Sequence, residues 1–416
     1  MKFDLPFIRA QFPAFSDPSL EGFGFFENAG GSYPCAQVID RLNRYYTQTR
    51  VQPYYDFSPS REAGQQMDAA RNRMAAWLNV AADEVHFGPS TTQNTYVLAQ
   101  ALRQHLKPGD EVIVTNQDHE ANIGPWRRLE SEGIVIREWQ VDPADGELKT
   151  GGLNGLLGPR TRVVAFTHSS NTIASINPVR EWADHIHAAG AIAIVDGVSY
   201  CPHGLPDLQA LGADIYLFSL YKVYGPHQGL MYMSRELNSR LPNQGHYFNA
   251  DKPSHRFTPA GPDHAQIAAS NGVIDYFEAV YQHHFNGPAT EAEQAKQVNQ
   301  LLREREIELL QPLLDFLVSE PKIRLLGRPE ATHRAPTVAF TVAGLPAAQL
   351  ASRLAAQRLG VAAGHFYAAR LLEALSIDPG QGALRASLVH YTHEDEVARL
   401  IAALEQLIAL PAAGHK

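Results

Sequence analysis

The sequence predicts an α/β protein: a large domain with a mostly parallel sheet covered by helices, then a smaller α+β domain at the C-terminal end. Three observations predict it. Short apolar runs alternate with helical patterns from Gly22 to about Ala289. Most runs are apolar at consecutive positions, which marks strands buried on both faces. From about Thr290 the texture changes to long amphipathic stretches.

Residues 1–20 read as a short arm that packs with the small domain. The large domain is expected over 21–289. Its strands are EVHFG (84–88), EVIVT (111–115), RVVAFTH (162–168), AIAIVD (191–196), DIYLFSL (214–220) and GLMYM (229–233). VREWADHIHAAG (179–190) reads as one of the helices between them. Such alternation argues for parallel pairing with helical crossovers. The small domain is expected over 290–416. It opens on EAEQAKQVNQLLREREIELLQPLLDFLV (291–318), one helix or two, broken near Pro312. Strand TVAFTVAG (337–344), helix AAQLASRLAAQRLG (347–360), strand ALRASLVHY (383–391) and a last helix over 394–410 follow.

The 416 residues carry a formal net charge of −9, which argues against nucleic acid or an anionic membrane as partner. No stretch is long and apolar enough to span a bilayer. The two cysteines, Cys35 and Cys201, build neither a disulfide framework nor a cysteine-type zinc site. Together with an N-terminus unlike a signal peptide, they point to the cytoplasm. The histidines show no metal pattern: His185 and His187 share no helix face, and no H-E-x-x-H occurs. No metal is assigned.

In an open parallel sheet, ligands bind beyond the carboxyl ends of the strands. Polar residues collect at those exits. His119 follows EVIVT, Asn171 follows RVVAFTH, Asp196 ends AIAIVD, and Lys222 follows DIYLFSL. Upstream, FGPSTTQNTYVLAQAL places Ser90 and Gln93 as a capping box, with Thr91 and Thr92 opening a helix. A helix N-terminus with two hydroxyls is an anion site. Ser199 and Ser219 add hydroxyls nearby. Pyridoxal phosphate requires this set. It needs a lysine for its aldehyde, a carboxylate for its ring nitrogen, an anion nest for its phosphate and a flat group over its ring.

The order His119, Asn171, Asp196, Ser219-x-x-Lys222 resembles the class V aminotransferases, fold type I of the pyridoxal phosphate enzymes. Within that family the chain is similar to the cysteine desulfurase-like branch. The matching segments include FFENAGGSYP (25–34), DHEANIGPW (118–126), SSNTIASINPV (169–179), FSLYKVYGPHQG (218–229) and LRASLVHYTHEDEV (384–397). The resemblance implies a seven-stranded large-domain sheet and a homodimer with shared active sites. It implies that His119 stacks on the cofactor ring, Asp196 pairs with the ring nitrogen and Asn171 bonds the ring hydroxyl. Thr91, Thr92 and Ser219 would bind the phosphate. Arg385 would clamp the carboxylate of a small amino-acid substrate, with Asn28, His365 and Tyr367 on the substrate side.

The chain also departs from that branch. The desulfurases carry a nucleophilic cysteine a few residues after a Gly-His pair. Here Gly364 and His365 match, but Tyr367 holds the cysteine position, and Ala362 replaces an arginine. Ser199 stands where the branch has glutamine, and Tyr221 where it has histidine. Gly261 stands where a threonine reaches the partner's phosphate. Without the thiol, a persulfide route has no nucleophile. The expected function is a cofactor-dependent reaction at the α-carbon of an amino acid, with C–S β-elimination ranked first. Transamination and racemisation or epimerisation stand as alternatives. A non-catalytic cofactor-binding regulator is the alternative from another class.

Overall fold

The computed structural model describes residues 3–409. A two-residue strand β1 (Gly24–Phe25) comes first. The large sheet is built from β2 (Val85–Gly88), β3 (Glu111–Thr115), β4 (Val135–Trp139), β5 (Thr161–Thr167), β6 (Ile192–Asp196), β7 (Ile215–Ser219) and β8 (Gly229–Met233). Its order is β2-β8-β7-β6-β5-β3-β4. The pairs from β7 to β4 are parallel, while β8 runs antiparallel to both β7 and β2.

Two separate cores explain the consecutive apolar residues. Val164, Phe166, Tyr216 and Phe218 face one core, while their neighbours Val163, Ala165, Ile215 and Leu217 face the other. Side chains alternate across a strand, so a strand between two helix layers is apolar at every position. Each fully buried large side chain contributes about 1.5–3 kcal/mol. Strand β4 escaped the sequence reading because it is an edge strand: VIREW carries Arg137 and Glu138, and only Trp139 is buried.

The small domain holds β9 (Ile323–Leu326), β10 (Thr337–Val342), β11 (Leu359–Gly360), β12 (Ala362–Gly364) and β13 (Ala383–Ser387). An antiparallel sheet of order β12-β13-β10-β9 packs its apolar face on three helices, Glu291–Ser319, Ala347–Ala355 and Glu394–Ala409. The expected break at Pro312 is absent. Glu291–Ser319 is one helix, with Leu309, Leu310, Leu313, Leu314 and Leu317 buried around the proline. Their burial outweighs the roughly 3 kcal/mol that a mid-helix proline costs. The helix starts where Thr290 and Glu293 form a reciprocal capping box. The helix expected over 347–360 ends at Ala355, and Leu359 and Gly360 join β11 instead. Residue 410 of the expected last helix lies outside the described residues.

The N-terminal segments depart from the expected division. Strand β1 pairs in parallel with β11, Glu27 bridges to Ser387, and Phe26 is buried in the small-domain core. Residues 24–27 therefore pack with the small domain, although their sequence position places them before the large one. The arm before them touches both domains. Arg9 reaches Glu396 at 3.1 Å, whereas Asp4 and Phe7 contact His283 of the large-domain helix His264–His284.

Candidate active site

Parallel strands β3, β5, β6 and β7 end side by side, and their exits open into one cavity of about 50 Å³. Thr91, Thr92, His119, Asn171, Asp196, Ser199, Ser219, Tyr221 and Lys222 all line it. Nine residues singled out from the sequence thus line one cavity. Ala121, Thr167 and Val198 complete the lining.

Lys222 stands in a single 3₁₀ turn directly after β7. Its Nζ makes no hydrogen bond or ion pair among the described residues, although the residue is buried. Burial, and then the Arg385 guanidinium, push its ammonium down to about 8, against a smaller upward pull from Asp196 and Glu27. Asp196 ends β6. Its Oδ1 accepts from the Val198 N–H at 2.8 Å, and its Oδ2 has no protein partner among the described residues. Burial raises its carboxyl to about 6, and the Val198 N–H and Lys222 work against that rise.

The helix Thr91–His105 aims its N-terminus at the same cavity. Ser90 caps it by accepting from the Gln93 N–H at 3.1 Å. The Gln93 side chain does not reach back, so only half of the expected capping box forms. Gly229 of β8 makes this approach possible: a Cβ there would overlap the Ser90 and Thr91 backbone. The Thr91 and Ser219 hydroxyls lie 2.8 Å apart.

His119 presents a neutral ring. Its Nδ1 accepts from the Ala121 N–H at 3.0 Å, and burial, with Lys222 and Arg385 nearby, lowers it to about 4. The 364–368 loop covers that ring from outside. Tyr367 lies 5.0 Å from the His119 ring, centroid to centroid, and is 68% exposed. Phe366 and Tyr367 are consecutive non-glycine residues at φ +52° and +58°. Such strain persists only where neighbours over-determine it. Here Glu120 N–H donates to the Tyr367 carbonyl and the Asn171 amide donates to the Phe366 carbonyl, both at 2.7 Å. His365 Nδ1 accepts from the Tyr367 N–H at 3.1 Å.

Arg385, on β13, is buried with its guanidinium 4.2 Å above the Phe366 ring. Nη1 donates to the Asn171 carbonyl at 3.0 Å, and Nη2 meets Glu27 Oε1 at 2.6 Å. Sequence reasoning missed Glu27. The available signal was an acidic residue directly before Asn28 in a matching segment. Asn28 itself does not line the cavity. Its amide donates to the Ser387 and Phe25 carbonyls, and its oxygen accepts from Tyr391. Every polar atom of its side chain is thus taken up by protein contacts. Gly261 is exposed, at φ +45°, and is not part of the cavity wall.

Comparison with known proteins follows the same lines. The sequence profile of the family described as Aminotransferase class-V matches residues 24–400. The chain belongs to the class V aminotransferase family. The aminotransferase-like protein FGM3 of Gibberella zeae is 35% identical, with 98% of this chain and 99% of that protein aligned. A probable cysteine desulfurase of Pseudomonas aeruginosa is 31% identical over 97% of this chain and 98% of its own. A structure of a C-DES variant, with glycine covalently linked to its PLP cofactor, superposes with a TM-score of 0.77 at 18% identity. It covers 97% of this chain and 99% of that one.

The class V aminotransferases are pyridoxal phosphate enzymes of this α/β fold, and the cofactor of this chain is pyridoxal 5'-phosphate. The cavity suits it. Among the described residues the Lys222 amine and one Asp196 carboxylate oxygen both lack partners, and both residues line a cavity that Thr91 and Thr92 of a helix N-terminus also line. A cationic ring nitrogen would satisfy Asp196, and a phosphate would satisfy the helix N–H groups.

Proposed function

We propose that the protein is a pyridoxal phosphate-dependent lyase that eliminates a sulfur leaving group from the β-carbon of an amino acid, without a persulfide-forming cysteine. One observation carries this reading: Tyr367, not a thiol, stands over His119 on the strained loop. Cys35 and Cys201 are both buried and unpaired, and neither lines the cavity. Burial raises both thiols, Cys35 to about 12 and Cys201 further, so neither supplies a thiolate.

The bound cofactor supplies an electron sink for charge developing at the α-carbon. In this reading Lys222 anchors it and then moves the α-proton, for which an amine near 8 is well matched. Asp196 would hold the proton of the ring nitrogen. Thr91, Thr92 and Ser219, with the helix N-terminus, would take the phosphate. Neutral His119 would cover one ring face, and Asn171 would meet the ring hydroxyl. Ser199 and Tyr221 line the same wall. Arg385 orients the substrate carboxylate so that the α-proton faces Lys222. Tyr367 or His365 supplies a proton to the departing sulfur.

The reading includes a homodimer, the assembly that would bring Gly261 of one subunit to the phosphate of its neighbour. The exposed aromatic stretch of Tyr46, Tyr54, Tyr55 and Phe57 supports a covered face. The unpaired cysteines support a reducing, cytoplasmic setting. Among the described residues no helix is long and apolar enough to cross a membrane.

The test is product analysis with cystine and S-substituted cysteines. Elimination yields pyruvate and ammonia catalytically. A keto acid formed only in step with aminated cofactor identifies a transaminase instead. Solvent deuterium at the α-carbon with accumulating D-isomer identifies a racemase or epimerase.

A further inference from the structure

We propose that Glu27 is a specificity-determining residue of this site: it shares Arg385 with the substrate's α-carboxylate and selects against amino acids that carry a second negative charge. The proposal rests on Arg385 being the carboxylate seat.

The arginine is already half engaged. Nη2 meets Glu27 and Nη1 meets the Asn171 carbonyl, while Nε is buried without a partner. Phe366 closes one face of the guanidinium. The fork is therefore fixed in place, with Nε lacking a hydrogen-bond partner among the described residues. Glu27 is fixed as well. The N–H of Gly30 donates to its carbonyl at 3.0 Å, and a Cβ at residue 30 would stand 2.6 Å from Oε1. Gly30 thus leaves the room that the carboxylate occupies.

The second oxygen of Glu27 is the informative atom. Oε2 is buried and has no hydrogen-bond partner among the described residues. An unpaired carboxylate oxygen in a desolvated site is a strong acceptor, and leaving it unpaired is costly. The charged groups around it are Arg385 and Lys222, and Lys222 senses both Arg385 and Glu27. An entering α-carboxylate finds a matching charge in Arg385. A second carboxylate on the same substrate meets the like charge of Glu27, whose Oε2 is shielded from solvent, and is repelled. A neutral side chain avoids that cost, and a cationic one gains a partner in Oε2. The favoured substrates are amino acids with one carboxylate and a neutral or basic side chain.

The experiment uses the holoenzyme and three ligands of similar size: S-aminoethyl-, S-ethyl- and S-carboxymethyl-cysteine. Affinity is read from the cofactor absorbance change, independently of turnover, and kcat and KM are measured for each ligand that reacts. Wild type should bind the aminoethyl compound tightest and the carboxymethyl compound weakest, with a spread of at least about thirtyfold. Glu27→Gln should compress the spread to about threefold, mainly by tighter binding of the anionic ligand, and in KM rather than kcat. Glu27→Asp, which keeps the charge, should restore the order. A general loss of affinity for all three ligands in Glu27→Gln would mark a structural prop for Arg385 and overturn the proposal. A flat wild-type series overturns it without any variant. If none of the three perturbs the cofactor band, the carboxylate seat itself is wrong, and the proposal falls with it. Binding of all three with equal strength refutes Glu27 alone.

Discussion

The hydroxyls of Thr91 and Ser219 stand 2.8 Å apart, joining the first turn of a helix to the last residue of β7. Lys222 follows three residues after Ser219. The first turn of the helix and the Lys222 amine are thus held by the same strand end. Gly229 on the neighbouring strand sets how close the helix comes. Gly229→Ala should push the helix N-terminus back. The expected outcome is at least about a tenfold loss of cofactor affinity, with a stability loss of about 1–3 kcal/mol. Cofactor titration of the apoprotein checks this. Unchanged affinity would mean that the helix terminus does not bind the phosphate.

Lys222 is expected to carry the cofactor covalently. Borohydride reduction followed by peptide mass spectrometry should place the label on Lys222 alone. Lys222→Ala should lose the bound-cofactor absorbance and about 10³-fold or more of any turnover. A label on another lysine would show that the strand exit has been misread.

The pH dependence of cofactor capture follows from the same amine. Burial lowers Lys222 from the usual 10.5 to about 8, so the neutral amine predominates above that pH and the ammonium below it. Only the neutral form attacks an aldehyde. The capture rate of the apoprotein should therefore rise about tenfold per pH unit up to about 8 and then level off. Stopped-flow absorbance between pH 6 and 10 gives the profile. A rate still rising steeply above pH 9 would mean that the lysine is not desolvated in solution.

The cysteines should be dispensable for chemistry. Cys35→Ala and Cys201→Ala remove buried packing and should each cost about 1 kcal/mol or more in thermal unfolding. Activity per folded molecule should stay within about twofold. Stoichiometric sulfur on either thiol after incubation with L-cysteine would sink the thiol-free mechanism.

Tyr367→Phe keeps the ring beside His119 and removes only the hydroxyl. Cofactor affinity should be unchanged, while turnover falls by about 10²-fold if the phenol delivers the leaving-group proton. Unchanged turnover would transfer that role to His365, whose Nδ1 already accepts from the Tyr367 N–H.

Local patterns settled much of this protein in advance. Doubly buried strands announce themselves as consecutive apolar residues, and the polar residues that end them are legible because chain direction fixes which end of a parallel strand is the exit. His119, Asn171, Asp196 and Lys222 were found in this way, and all four line one cavity. What sequence could not give depended on contacts distant along the chain. Edge strand β4 lacks the apolar run because one side faces solvent. The helix through Pro312 survives because leucines around the proline are buried by a domain that no local window contains. The side chain of Asn28 is held by Ser387 and Tyr391, both distant along the chain. The pairing of Glu27 with Arg385 spans 358 positions. Each residue alone states only its charge, and the small-domain sheet that brings them to 2.6 Å decides that they form a buried-arginine ion pair.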